Sequence, residues 1–83
     1  MKYTSPKTDV ESGNVLEYNG TLKNIEGYTP VGFVETNTNH DWSFGLMRAT
    51  LNGDGTFTCT WMNFNQNTWG GSIGYATVLY IRS

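Results

Sequence analysis

Between Thr56 and Met62 the chain reads TFTCTWM, and the alternation is strict. Phe57, Cys59 and Trp61 fall on one side of an extended backbone, Thr56, Thr58 and Thr60 on the other. A helix cannot use that pattern, because its apolar stripe recurs every three to four residues. A half-buried antiparallel strand can, with its aromatic side inward and a threonine ladder outward. No stretch of the chain shows a helical period, and no repeat recurs at a fixed spacing. Composition points the same way. Charged residues make up 14% of the chain, against about 25% in an ordinary soluble domain. Thr, Asn and Gly take up the difference, and they suit pleated surfaces and turns better than helices.

The remaining segments extend this reading to an all-β fold. Residues 1–13 mix Lys, Thr, Ser, Pro, Asp and Glu without periodicity and read as an N-terminal arm, flexible or ordered by docking. Residues 14–83 read as a single antiparallel β-domain. In NVLEYNGTLKNIEGYTP, apolar clusters at Val15–Tyr18 and Leu22–Ile25 flank Asn19-Gly20, a pair that predicts a tight hairpin turn. YTPVGFVETN reads as a strand with Pro30 near its start, as at a sheet edge. After the polar loop TNTNHD, WSFGLMRATL puts Trp42, Phe44 and Leu46 on one side and Met47, Ala49 and Leu51 on the other. That change of phase predicts a bulge or twist near Gly45, or burial on both faces. Asn52-Gly53-Asp54-Gly55 turns the chain back into TFTCTWM. NFNQNTWGG reads as a turn-rich connection. SIGYATVLYIRS then carries apolar residues on both faces, as a central strand does or one sealed by another subunit. The sum is a small antiparallel β-sandwich or barrel of about six short strands.

Eighty-three residues bury a small fraction of their surface, and a domain of that size generally needs a further source of stability. One cysteine and one histidine exclude an intrachain disulfide and a zinc-finger ligand set, so the expected support is oligomerisation, or a parent assembly of which this chain is a piece. A net charge of −2 without a basic run gives no footprint for nucleic acid or an anionic membrane. No apolar run approaches the roughly 20 residues of a membrane span.

Side chains with reactive chemistry are few. His40 and Asp41 are adjacent, so in extended chain they point apart and cannot form an oriented pair, and Ser43 sits in no nucleophile elbow. Asn52–Gly55 looks like the start of a calcium loop, but the following Thr-Phe-Thr-Cys lacks the further oxygen ligands. Cys59, mid-strand between threonines, reads as a small core hydrophobe. The residues therefore predict no catalytic centre, no metal and no cofactor. The aromatics remain. Exposed Trp beside Asn suits a sugar, the ring taking a pyranose face and the amides its hydroxyls. Against this, a chain poor in Leu and Ile must build its core from aromatics. Phe57 and Trp61 go to the core. The candidate ligand-binding residues are His40 and Trp42 in one loop, and Asn63, Asn65, Asn67 and Trp69 in another.

From Gly27 to Ser83 the chain resembles the C-terminal β-domain of tailed-bacteriophage tail fibre, baseplate and other minor structural proteins. The likeness rests on the entry strand GYTPVGFVETN, the strand and polar turn WMNFNQNT, and the terminal ATVLYIRS. The resemblance implies a non-enzymatic virion component, assembled in the host cytoplasm and then exposed outside the cell. It also implies a homo-oligomer, often a trimer, that contacts other virion proteins and meets a host-surface glycan or protein in attachment to the host. Two other readings fit the residues: a purely architectural capsid or tail decoration protein, and a secreted lectin-like carbohydrate-binding module.

Overall fold

In the computed structural model, which describes residues 1–83, the chain is all-β, with eight short antiparallel strands and no helix. The strands are β1 (Lys2–Thr4), β2 (Thr8–Val10), β3 (Val15–Thr21), β4 (Tyr28–Thr38), β5 (Phe44–Leu51), β6 (Thr56–Asn63), β7 (Trp69–Ser72) and β8 (Gly74–Arg82). They form two three-stranded sheets, ordered β1-β8-β4 and β3-β6-β5, and a two-stranded ribbon of β2 and β7. The body is a short rod of 45 × 18 × 17 Å.

Strand β6 is the middle of its sheet and shows the expected alternation in full: Phe57, Cys59 and Trp61 are buried, while Thr56, Thr58 and Thr60 are half-exposed. Phe57 gathers the core. Its ring lies 5.1 Å from those of Tyr3 and Tyr18 and 6.1 Å from that of Phe33, so residues from both three-stranded sheets meet on it. Leu16, Val10, Phe44 and Ala76 complete the cluster around Cys59 and Trp61. Burial pushes the Cys59 thiol up to about 11, which removes it from thiolate chemistry at neutral pH.

Asn19-Gly20 is not a turn. Both lie inside β3, paired with Thr58 and Phe57. Glycine is needed there for room: the Phe57 ring occupies the place where a Cβ on Gly20 would stand. Leu22–Ile25 consequently forms no strand and runs as a loop. The turn at Asn52–Gly55 is built as expected, with Gly53 and Gly55 in the left-handed region at φ 84° and 88°. The Asp54 carboxylate accepts the backbone N–H and the hydroxyl of Thr56, which lower its pKa. The bulge expected near Gly45 falls between Leu46 and Arg48, which makes Met47 the extra residue. Gly45 instead lies under the Phe64 ring.

Residues 1–13 hold two strands. β1 pairs with Tyr75–Thr77 of β8, and β2 pairs with β7. Three-residue strands are too short to display a period, which is why the segment reads as irregular. Met1 extends the first ladder, its amino group donating to the Val78 carbonyl at 2.7 Å and its carbonyl accepting the Val78 N–H at 2.8 Å. A tyrosine pair fastens the loop at Leu22–Gly27 to this sheet. Lys23 N–H donates to Tyr3 Oη at 2.8 Å, and Tyr80 Oη donates to the Lys23 carbonyl at 2.9 Å. The single Tyr80 proton is thereby spent, so in the 2.5 Å contact between the two phenols Tyr3 is the donor.

Candidate functional site

The β5–β6 hairpin pairs Phe44 with Asn63, so the segments just beyond its open end, residues 39–43 and 64–68, come together. The Phe64 N–H donates to the Ser43 carbonyl at 2.9 Å and joins the two backbones. Both candidate loops thus belong to one end of one hairpin.

The first loop is a tight turn closed by the Ser43 N–H on the His40 carbonyl at 2.9 Å. Asn39 anchors it laterally: its amide donates to the Gly71 carbonyl at 3.0 Å and accepts the Ile73 N–H at 2.9 Å, as a neighbouring strand would. The second loop begins with Asn63, which continues the inward side of β6 and has no exposure. Its hydrogen-bonding capacity is fully used. Oδ1 accepts from Ser43 Oγ at 2.8 Å and from the Asn65 N–H at 3.0 Å. Nδ2 donates to the carbonyls of Val10 at 3.1 Å and Asn67 at 2.9 Å. Asn63 therefore shapes the loop from below and offers nothing to a ligand, unlike the expectation from sequence. Asn65 is half-buried and accepts the Asn67 N–H at 3.0 Å, and Asn67 is exposed.

Trp69, expected within the loop, opens strand β7 and pairs with Val10. Its indole Nε1 donates to Ser43 Oγ at 2.6 Å. Ser43 is thus the joint between the loops, its hydroxyl accepting from the indole N–H and donating to Asn63 Oδ1. Sequence reading considered this serine only as a nucleophile. The signal that could have found it is the β6 alternation carried one step past Trp61, which buries Asn63 and obliges it to find partners.

Above this polar base stand three rings. His40 stacks on Trp69, with centroids 4.8 Å apart and planes 27° from parallel, and lies over Phe44 at 6.5 Å and 22°. Trp42 meets both edge-on, His40 at 5.3 Å and 77° and Trp69 at 5.7 Å and 88°. His40 is half-buried with both ring nitrogens covered and unpartnered, and Trp69 is half-buried, but Trp42 is 66% exposed. His40, Trp42 and Trp69 therefore meet, while Asn65 and Asn67 flank them from the second loop. The surface here carries no cavity. The two grooves of the domain lie elsewhere, one beside Met1, Tyr28, Val34 and Leu79, the other beside Leu22, Asn24, Pro30 and Gly55. An aromatic platform whose exposed member, Trp42, stands edge-on to the stacked pair can offer that indole to a ring face or an apolar side chain. The Ser43 hydroxyl donates to the Asn63 amide oxygen, which is not a base that could take its proton.

No family model, curated protein or solved structure matches this chain.

Proposed function

We propose that this chain is a virion structural protein, a tail-associated β-domain that self-associates and binds a host-surface ligand through the platform of His40, Trp42 and Trp69. The observation that carries the binding part is Trp42. It is a large indole, 66% exposed, set edge-on to two other rings above a hydrogen-bonded base. Burial gains little from such a residue, whereas a ligand that covers it gains contact area of the kind aromatic anchors supply at interfaces. Glycan is the ligand class that fits best, because a ring face and the exposed Asn67 amide suit the two sides of a sugar. The virion part rests on the likeness carried by GYTPVGFVETN, WMNFNQNT and ATVLYIRS.

A panel of immobilised bacterial surface polysaccharides, together with intact host cells, tests the reading. Trp42→Ala should weaken binding tenfold or more without altering the far-ultraviolet circular dichroism. If Trp42→Ala and Trp69→Ala both bind as the parent does, the platform is not the site. The architectural reading draws on a different observation, the exposed apolar residues of β4 and β8. It expects capture of virion proteins and no attachment to cells.

A further inference from the structure

Apolar surface collects on one part of this molecule. Of eleven exposed large hydrophobic side chains, six belong to or directly flank the sheet β1-β8-β4: Met1, Tyr28, Val31, Val34, Leu79 and Ile81, each 42% to 65% exposed. A groove of about 480 Å³ runs among Met1, Ile25, Tyr28, Val34 and the stretch Thr77–Tyr80.

The pairing explains why this part is uncovered. β1 covers β8 only at Tyr75–Thr77, and Met1 adds Val78. From Leu79 to Arg82, β8 is paired on one side only, with the start of β4. There the sheet is reduced to a two-stranded ribbon, a form that is marginal in water unless something packs on it. Two irregularities in β4, at Val31 and Val34, leave those valines outside the regular pairing and exposed.

We propose that this β4–β8 ribbon is the surface on which a second copy of the chain docks. Its size suits that occupant. The six lie on both faces of the ribbon, Met1 and Tyr28 on the side of Val78 and Leu79 and Ile81 on the other, so a copy that clasps the ribbon covers roughly 500 Å² of apolar area, at about 80 Å² for each side chain. Doubled between two copies and widened by the polar rim, it reaches the roughly 1,200 Å² at which specific interfaces begin. The rim is self-complementary: Lys2 and Arg82 are cationic, Glu26 and Glu35 anionic, and all four are exposed. Apposed copies bring unlike charges within reach, and the one charge within the apolar centre, the Met1 ammonium, is held on the Val78 carbonyl. The proposal rests on the self-association named above and not on the ligand.

Light scattering on the full chain at micromolar concentration tests it. The parent should show an integer multiple of the chain mass, with a melting temperature that rises with protein concentration. Val34→Glu combined with Leu79→Glu should give the single-chain mass. Should that variant fail to fold, the milder Leu79→Thr, at an exposed strand position, should raise the dissociation constant at least tenfold. A monomeric parent overturns both this assignment and the self-association. An oligomeric parent whose mass and dissociation constant are unmoved by these changes overturns the assignment alone. Trp42→Ala should leave the mass untouched, which separates this surface from the ligand platform.

Discussion

Removal of the Asn63 side chain tests the architecture of the candidate site most directly. The amide makes four hydrogen bonds of 2.8 to 3.1 Å with no exposure of its own. At about 1 kcal/mol net for each of the four, Asn63→Ala should cost about 4 kcal/mol. A chain of this length has a total stability of roughly 4–12 kcal/mol, so the loss is a third of it or more. Urea titration followed by tryptophan fluorescence measures it, read as a shift in midpoint at constant slope. The near-ultraviolet circular dichroism should weaken as well, because Ser43 loses its acceptor and the Trp69 indole loses a fixed partner. Asn67→Ala is the control. It keeps the backbone carbonyl that Asn63 uses, and its own side chain is exposed, so the change should stay within about 0.5 kcal/mol. An Asn63→Ala protein within about 1 kcal/mol of the parent, with its near-ultraviolet spectrum intact, would refute the idea that this amide holds the two loops.

Three further outcomes are expected. Gly20→Ala should destabilise by about 2 kcal/mol or more, since a methyl would meet the Phe57 ring, whereas Gly32→Ala, facing open space, should be within about 1 kcal/mol of neutral; equal urea midpoints would contradict the packing. Stability should fall on the alkaline side: the folded pKa of Cys59 is about 11 against 9.0, and that of Tyr80 about 12 against 10.0, with Tyr18 also raised. The folded state therefore holds protons that the unfolded state releases, so their contribution is complete below pH 9 and is lost progressively up to about pH 12; urea midpoints at pH 8, 10 and 11 should decline, and Tyr80→Phe should flatten the decline. Finally, labelling of Cys59 by a thiol reagent should be slow in buffer and accelerate in step with global unfolding by urea, and rapid labelling of the native protein would place the residue outside the core.

How much of this could be read in advance depends on how local its cause is. β6 was legible because one face of the strand is buried along its whole length, and burial writes period two into the sequence. Gly20 was misread for the opposite reason. Asn-Gly is a turn signal by its own torsional freedom, but here the glycine answers to a ring 37 positions away that needs the space. The strands at Lys2–Thr4 and Thr8–Val10 take their order from β8 and β7, near the far end of the chain, and leave no mark on their own composition. The candidate loops were found by residue type, as aromatics among asparagines. Their convergence was implicit in the turn at Asn52–Gly55, which brings residues near 44 beside residues near 63, but the exact register was not: regular pairing from that turn would set Phe44 beside Phe64, and the extra residue Met47 moves it to Asn63. The roles of Asn63 and Trp69 were not visible, because a run of asparagines hides the last inward position of a strand.

The base of the platform also bears on why the platform exists. Core positions are filled most cheaply by apolar groups, and a buried polar pair adds to stability only when every donor and acceptor is matched. Ser43 and Asn63 meet that condition, with the indole N–H of Trp69 as a third member, so the network fixes geometry at little net gain in free energy. Trp61 shows the contrast. Its indole N–H is buried without a partner, and the ring is held by packing alone against surroundings that include Gly74. A domain that needed only a core could have treated Trp69 as it treats Trp61. Instead Trp69 is pinned, His40 is stacked on it, and Trp42 is set edge-on to both where solvent reaches it. Fixed orientation is of little use to a side chain that merely fills space. It matters to one that must present a face, since a ring already in place gives up less entropy when a ligand covers it.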